Sequence, residues 1–215
     1  MERISARGHA AASTRRRVVR SLGLLWVAAG GVALTVGSSL VAAGGGVPGW
    51  ERAVFRAVNG LPDWLYRPMW AVQLLGVLVV PIVFAVAAVI ARRWRLALAL
   101  LALPPLKLAV EFRVLKALVE RGRPGENEPG AVLRDVPPAG LSFPSGHVII
   151  AFGIAMLLAP YLSRRAKVVA FAIAALVGVA RTYLGAHNPL DVVAGAGAGL
   201  ALGALLTLVV GIRRR

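Results

Sequence analysis

Two basic residues, Lys116 and Arg123, stand seven positions apart in the middle of the chain. That spacing equals about two helical turns, so both side chains are expected on one face of a helix that Pro124 would end. Two cations on one face form an anion site, and an arginine can hold a phosphate through two hydrogen bonds. The alternative is a pair of long side chains that only extend toward water.

A second polar stretch, Phe143 to His147, comes directly before an apolar run and is expected to open a helix. There the Ser145 hydroxyl can donate a hydrogen bond, and Gly146 lets backbone N–H groups approach an anion at the positive end of the helix. His147 would stand beside them with an imidazole able to give a proton near neutral pH. For Ser145 taken alone, a plain N-cap is the competing interpretation.

The third stretch, from Arg181 to Asp191, places a histidine between an arginine and a carboxylate. Pro189 suits the first turn of a helix, with Asn188 as its cap. His187 then lies just before the helix, and Asp191 lies inside its first turn. A carboxylate in that place can hold one imidazole nitrogen and leave the other basic, which activates a histidine as a nucleophile or base. An aspartate that only complements the helix dipole would not account for the histidine and arginine beside it.

Apolar helices must position these residues, because 58% of the chain is hydrophobic and its mean hydropathy is +0.75. Both values lie well above those of a soluble domain. Long apolar runs, separated by short polar clusters, predict an all-α, polytopic membrane protein with a bundle of six transmembrane helices. The predicted spans cover approximately residues 22–43, 69–91, 96–119, 146–162, 168–186 and 190–212.

Four basic clusters hold 15 of the 25 Lys and Arg residues. They are the six arginines before residue 21 and the clusters within residues 92–95, 164–167 and 213–215. With six spans, all four fall on one side of the membrane, which the positive-inside rule identifies as cytoplasmic. We therefore predict a plasma membrane protein with both termini in the cytoplasm and the three polar stretches outside. Residues 1–21 form a basic cytoplasmic tail, and residues 22–215 form the membrane domain.

The third predicted span and its outer end carry five charged residues, although charge within a bilayer is costly. Lys107 and Glu111, and likewise Lys116 and Glu120, stand four positions apart and could pair. We interpret the deeper pair, Lys107 and Glu111, as structural, and Arg113 has no assigned role.

Other features predict packing and the surroundings of the site rather than chemistry. Gly195, Gly199 and Gly203 recur every four residues, which predicts a close helix contact. The outer segment 44–68 is rich in aromatic residues and is expected in the headgroup layer. The outer segment 120–143, with four prolines, is expected to be irregular and to cover the outer end of the bundle.

Together, Lys116-x6-Arg123-Pro124, Pro144-Ser145-Gly146-His147 and Arg181-x5-His187-x3-Asp191 resemble the three-part signature of the type 2 phosphatidic acid phosphatase family. Vanadium haloperoxidases share that signature. One position departs from it, because Ala180 stands where the family usually has a serine. We expect this change to weaken phosphate binding only slightly.

The resemblance implies that His187 attacks phosphorus to give a phosphohistidine, that Asp191 orients it, and that His147 protonates the leaving lipid oxygen and then helps to activate water. It also implies a set of groups that hold the phosphoryl oxygens: Lys116, Arg123, Ser145, Gly146 and Arg181. No metal or other cofactor is expected, since no acidic cluster suited to Mg²⁺ is visible in the sequence.

The expected partners are the bilayer and a membrane lipid phosphate: polyprenyl diphosphate, phosphatidylglycerol phosphate, phosphatidic acid or a phosphoglycolipid. The composition suggests a bacterium, which favours a polyprenyl carrier lipid.

A lipid-to-lipid phosphotransferase and a non-catalytic lipid-binding protein or transporter stay open as alternatives, although a binder has no use for a His–Asp couple. A haloperoxidase is disfavoured because those enzymes are typically soluble. Despite the net charge of +16, nucleic acid is not an expected partner, because the basic residues flank apolar runs. The sequence does not indicate an oligomeric state.

Overall fold

A computed structural model describes the backbone of residues 2–211 and the side chains of residues 22–211. Within that range the chain is helical and has no strand, apart from one antiparallel bridge between Gly122 and Leu141. The α-helices are α1 (Glu2–Ala42), α2 (Gly49–Asn59), α3 (Tyr66–Gln73), α4 (Val79–Ile90), α5 (Trp94–Leu108), α6 (Lys116–Leu118), α7 (Pro124–Asn127), α8 (Gly146–Leu158), α9 (Arg164–Tyr183) and α10 (Pro189–Val209). A π-helix, Ala109–Leu115, joins α5 to α6.

Three of the described helices are long and apolar enough to cross a membrane: Leu22–Ala42 within α1, α9 and α10. A fourth span results if Asp63–Gly76 and Val79–Ile90, which meet at 61°, are counted together. The helix at Gly146–Tyr161 is apolar but shorter, and the predicted third span contains several charges. The all-α membrane architecture is therefore confirmed, whereas the count of six spans stays a prediction.

The second predicted span, 69–91, is not one continuous helix. Helix α3 ends at Gln73, a short 3₁₀ turn covers Leu74–Gly76, and Val77 has an extended backbone with φ −78° and ψ 156°. Helix α4 then starts in a new direction. An α-helix cannot continue through an extended residue, so α3 and α4 run in different directions. The last residue of α3, Gln73, is buried.

Helix α10 lies between α1 and α8 and packs closely on both. A Cβ added at Gly195 would lie 2.7 Å from the carbonyl oxygen of Ser145, and one at Gly199 would lie 2.6 Å from that of Ile149. Gly203 faces the same helix. The predicted packing role of these three glycines is confirmed, and α8 is the helix that they contact.

One end of the bundle gathers two of the predicted basic clusters, 92–95 and 164–167, whereas the cluster 213–215 lies outside the described residues. Arg95 donates a hydrogen bond of 2.9 Å to the carbonyl oxygen of Gly211, just after α10. The guanidinium of Arg93 lies 4.2 Å from the ring centre of Tyr161, just before α9. These contacts place residues 92–95, the start of α9 and the end of α10 together. The polar stretches are joined to the opposite ends of α8, α9 and α10.

Candidate active site

His187 and Asp191 are positioned by the start of α10. Asn188 occupies the N-cap, and its backbone N–H donates to Asp191 Oδ2 at 2.9 Å. The same Oδ2 lies 3.6 Å from Nδ1 of His187, an ion-pair distance slightly longer than a hydrogen bond. His187 is 3% exposed and Asp191 is fully buried. The predicted helix start, with Asn188 at the N-cap position, and the placement of both side chains are confirmed. Nε2 is the imidazole nitrogen of His187 that does not face Asp191.

The surroundings of His187 favour its neutral form. Burial lowers the pKa of this imidazole well below its ordinary value, and the positive charges of Arg181, Arg123 and Lys116 lower it further. A neutral imidazole keeps a lone pair on one nitrogen at neutral pH. This is the form required of a histidine nucleophile.

Ser145 stands at the N-cap position of α8, as predicted, but its hydroxyl does not cap the helix. Its backbone N–H donates to the carbonyl oxygen of Asp191 at 2.9 Å, which ties the starts of α8 and α10 together. The hydroxyl oxygen is buried and forms no hydrogen bond with any described residue. A plain capping role is therefore not what the geometry shows, and the hydroxyl is available to a ligand.

Gly146 begins α8 at a point of close approach. A Cβ at this position would lie 2.5 Å from Nζ of Lys107 and 2.6 Å from Oε2 of Glu111. Lys107 and Glu111 do form the predicted ion pair. Both side chains are buried, and the pair lies directly against this helix start.

Lys116 is paired with a different carboxylate from the one predicted. Its Nζ lies 2.9 Å from Oε1 of Glu111, whereas Glu120 is exposed and lies beyond the end of α6 at Leu118. The π-helix explains the difference, because its wider turn brings residues five positions apart onto one face. Glu111 thus lies between two lysines, and Arg113 is exposed to the outside of the bundle.

Arg123 does not continue the helix of Lys116, contrary to the prediction. The helix has already ended, and Arg123 has an extended backbone at the N-cap of α7. Pro124 begins that short helix instead of ending a long one. Nη1 of Arg123 donates to the carbonyl oxygen of Ala186 at 3.0 Å, so the guanidinium lies next to His187 by a different route.

Arg181 is positioned from α9, with help from a residue that the sequence did not single out. Its Nη1 donates to Oε1 of Gln73, the last residue of α3, while its Nε is buried without a described partner. Gly76, in the following turn, packs against the backbone of His147. Both contacts lie at the break in the second predicted span. Ala180, where the family's usual serine would stand, is fully buried in α9.

His147 is half-buried in the first turn of α8, among the other candidate groups. The charged or titratable side chains that act on it electrostatically are those of Arg181, His187, Lys107 and Arg123. The structure therefore brings the three polar stretches to one place. Among the side chains of residues 22–211, no three His, Asp or Glu are grouped as a metal site.

Two further charged residues, Arg121 and Glu51, were missed by the sequence analysis. Arg121 is fully buried, and its Nη1 donates to Oδ1 of Asp191 at 3.1 Å and to Oε1 of Glu51 at 3.0 Å. Arg121 lies two residues before Arg123, in the same basic stretch, which was the only available signal. Glu51 lies on α2, within a segment interpreted as an aromatic membrane-surface region.

The arrangement suits capture of a phosphoryl group. A neutral histidine beside a carboxylate lies next to a half-buried second histidine, two arginines, a lysine and an unpaired buried hydroxyl. Positively charged groups and N–H donors stabilise the charge that builds up on phosphoryl oxygens during transfer.

Comparison with known proteins agrees with this geometry. The family model of the PAP2 superfamily matches residues 72–215. Phosphatidylglycerophosphatase B from Bacillus subtilis is 36% identical over 104 residues, which cover 42% of this chain and 46% of that protein. The aligned region thus spans about half the length of that relative.

Two solved structures share the fold. LpxE from Aquifex aeolicus matches with a TM-score of 0.62 and 27% identity, over 73% of this chain and 93% of the other. The first transmembrane PAP2-type phosphatidylglycerolphosphate phosphatase from Bacillus subtilis matches with a TM-score of 0.67 and 27% identity, over 84% and 95%. The family match contains every predicted site residue, from Lys116 to Asp191, and the chain belongs to the PAP2 superfamily.

Proposed function

We propose that this chain is a metal-independent lipid phosphate phosphatase that uses His187 as its nucleophile. The proposal rests on one observation: an oriented histidine and two unpaired buried donors lie together near the starts of α8 and α10. Nδ1 of His187 faces Asp191, while the Ser145 hydroxyl and the Nε of Arg181 are buried without described partners. Buried polar groups are rarely left unpaired, and these two are donors suited to an anion.

The reaction proceeds in two steps. Nε2 of His187 attacks phosphorus, a P–N bond forms, and the bond from phosphorus to the lipid oxygen breaks as that oxygen takes a proton from His147. Water then attacks the phosphohistidine, His147 takes one of the water's protons, and the P–N bond breaks to release inorganic phosphate. The negative charge of the bound phosphoryl group favours the protonated form of His147 at the start. Arg123, Arg181 and Lys116 counter the charge on its oxygens.

The proposed topology has six spans, both termini in the cytoplasm and the site outside. Contacts among residues 92–95, Tyr161 and Gly211 support it, because they gather basic clusters at the end of the bundle away from His187. The chain has no cysteine, so single cysteines can be added at exposed Ala139 and Ser163. A membrane-impermeant thiol reagent applied to intact cells should label position 139 alone. Labelling of position 163 alone would invert the topology.

The proposed substrate is a phosphomonoester or diphosphate of a membrane lipid. The curated relative and one of the solved structures, both from Bacillus subtilis, are named for phosphatidylglycerophosphate, which favours this lipid as a first candidate. Composition alone favours a polyprenyl diphosphate. Phosphatidic acid and phosphoglycolipids complete the panel. A lipid-to-lipid phosphotransferase would form the same phosphohistidine and pass the group to a lipid hydroxyl instead of water.

The test is phosphate release by detergent-purified protein from each of these lipids, with and without EDTA. Release should survive EDTA and should be lost in His187→Ala, whereas His9→Ala, in the basic tail, should match the parent. Brief reaction with a ³²P-labelled lipid should leave acid-labile label on the parent only. Equal release by the His187 variant, or loss of release with EDTA, would refute the mechanism.

A further inference from the structure

Three charged side chains form a buried row behind His187, in the order Glu51, Arg121 and Asp191. All three side chains are fully buried. Nη1 of Arg121 lies 3.0 Å from Oε1 of Glu51 and 3.1 Å from Oδ1 of Asp191, and Nη2 lies 2.5 Å from Oε2 of Glu51. A charge removed from water is tolerated only when it is paired and hydrogen-bonded, and this row alternates in sign.

The row fixes both oxygens of Asp191. Oδ1 accepts from Arg121, while Oδ2 accepts from the backbone of Asn188 and faces His187. Rotation of the carboxylate would break one or both bonds. The orientation in which Asp191 supports the imidazole is therefore set from behind by Arg121.

Glu51 completes the row from a separate element. It lies on α2, outside the region 72–215 that matches the family model. Besides binding Arg121, its Oε1 accepts the backbone N–H of Leu190 at 2.8 Å, in the first turn of α10. Glu51 thus contacts both the guanidinium that holds Asp191 and the helix start that carries it.

We propose that Glu51 is a positioning residue: through Arg121 it fixes the rotamer of Asp191 and balances the charge behind His187. The inference rests on the proposed function of His187. Arg121 alone would neutralise much of the field of Asp191, and Glu51 offsets that effect. Helix α2, from the outer segment, would thereby control how strongly Asp191 supports the nucleophile.

The proposal predicts opposite effects from two changes. Glu51→Gln keeps an acceptor for Arg121 but removes a negative charge, so the pKa of His187 should fall. Adding Arg121→Gln to that variant also removes the nearer positive charge, so the pKa should rise above that of the parent. The other groups around His187 are unchanged in both proteins: Arg181 on α9, Arg123 before α7, Lys116 on α6, His147 on α8 and Asp191 on α10.

Histidine NMR measures this shift without relying on activity. The chain has three histidines, so ¹⁵N-histidine-labelled protein in nanodiscs gives few signals, and His187→Ala assigns the relevant one. Turnover of the most active lipid is measured on the same samples. For Glu51→Gln we expect kcat to fall about ten- to a hundredfold, the scale of rate lost when catalytic groups are misplaced, with KM nearly unchanged.

Glu128→Gln is the matched control. Glu128 is also buried and also pairs with an arginine of α2, since its Oε2 lies 3.1 Å from Nε of Arg52, but it does not contact Asp191. Its loss should leave the pKa of His187 and kcat unchanged. Equal effects from Glu128→Gln and Glu51→Gln, or shifts of the same sign in the single and double variants, would overturn the proposal. An inactive parent with the expected opposite pKa shifts would instead count against the phosphatase function.

Discussion

Replacing Ser145 by alanine is expected to reduce turnover without reducing stability. The Ser145 hydroxyl is buried and unpaired, and burying such a group costs about 1–3 kcal/mol, so its removal relieves a penalty instead of breaking a bond. In the transition state the same hydroxyl would donate to a phosphoryl oxygen. Loss of one such donor costs about 2.7–4 kcal/mol, which is about a 10²- to 10³-fold fall in kcat.

Ser163 provides the matched comparison, because it is also a serine at a helix N-cap. Its hydroxyl does cap α9, accepting the N–H of Ala166 at 3.2 Å. Ser163→Ala should therefore cost about 1 kcal/mol of stability, or about 2–4 °C in Tm for a chain of this size, and leave kcat unchanged. Both variants are measured in detergent by thermal unfolding and by phosphate release. The reasoning fails if Ser145→Ala lowers Tm as Ser163→Ala does while keeping full turnover.

Three further outcomes follow from the site and its supports. Burial and nearby cations lower the pKa of His187, so this group stays neutral as pH falls through 6.5 and the acid limb of the kcat/KM profile should lie below that pH. An acid limb at or above pH 6.5 would contradict the assignment of His187 as nucleophile. Gly195→Ala should lower Tm and activity together, since its Cβ would lie 2.7 Å from a backbone oxygen of the α8 N-cap. Gly30→Ala, inside α1 with open space around it, should lower neither. Gln73→Leu should raise KM about tenfold with little change in kcat, because Gln73 orients Arg181 and a hydrogen bond to a charged group is worth about 1.5–3 kcal/mol. An unchanged KM would argue against that role of Gln73.

The sequence was most informative where structure is local. Helix α10 begins at Pro189 with Asn188 at its N-cap position, and α8 begins at Gly146 directly after Ser145, so both predicted helix starts are confirmed. The glycine spacing on α10 likewise reports a close helix contact. These features depend on only a few consecutive residues or on one helical period.

Predictions were wrong where the backbone departs from regular α-helical periodicity. A seven-residue spacing places two side chains on one face only if the helix continues, and the helix of Lys116 ends at Leu118. Arg123 reaches the site nevertheless, from a loop. Gln73 was missed for a related reason, because nothing in the apolar run 69–91 signals a break at Val77.

Glu51 was missed because its partners are distant in sequence. A single acidic residue among aromatic and basic neighbours is ordinary for a segment at the membrane surface. Its role depends on Arg121 and Asp191, which lie 70 and 140 positions further along the chain. No local pattern reports such a contact, and only the packing of α2 against the bundle reveals it.

The π-helix before Lys116 also has a consequence for how the gene can change. A π turn behaves as an α-helix that has accepted one additional amino acid. Deleting a single codon within 109–115 would allow regular α-helix to re-form, and each residue of an α-helix advances about 100°. Where the deleted residue lies between Glu111 and Lys116, the two side chains come to stand four positions apart, which is the spacing of an ion pair on a regular α-helix. We therefore expect this segment to tolerate the loss of one residue between Glu111 and Lys116, as well as substitutions on its outer side, such as at Val114, which is exposed.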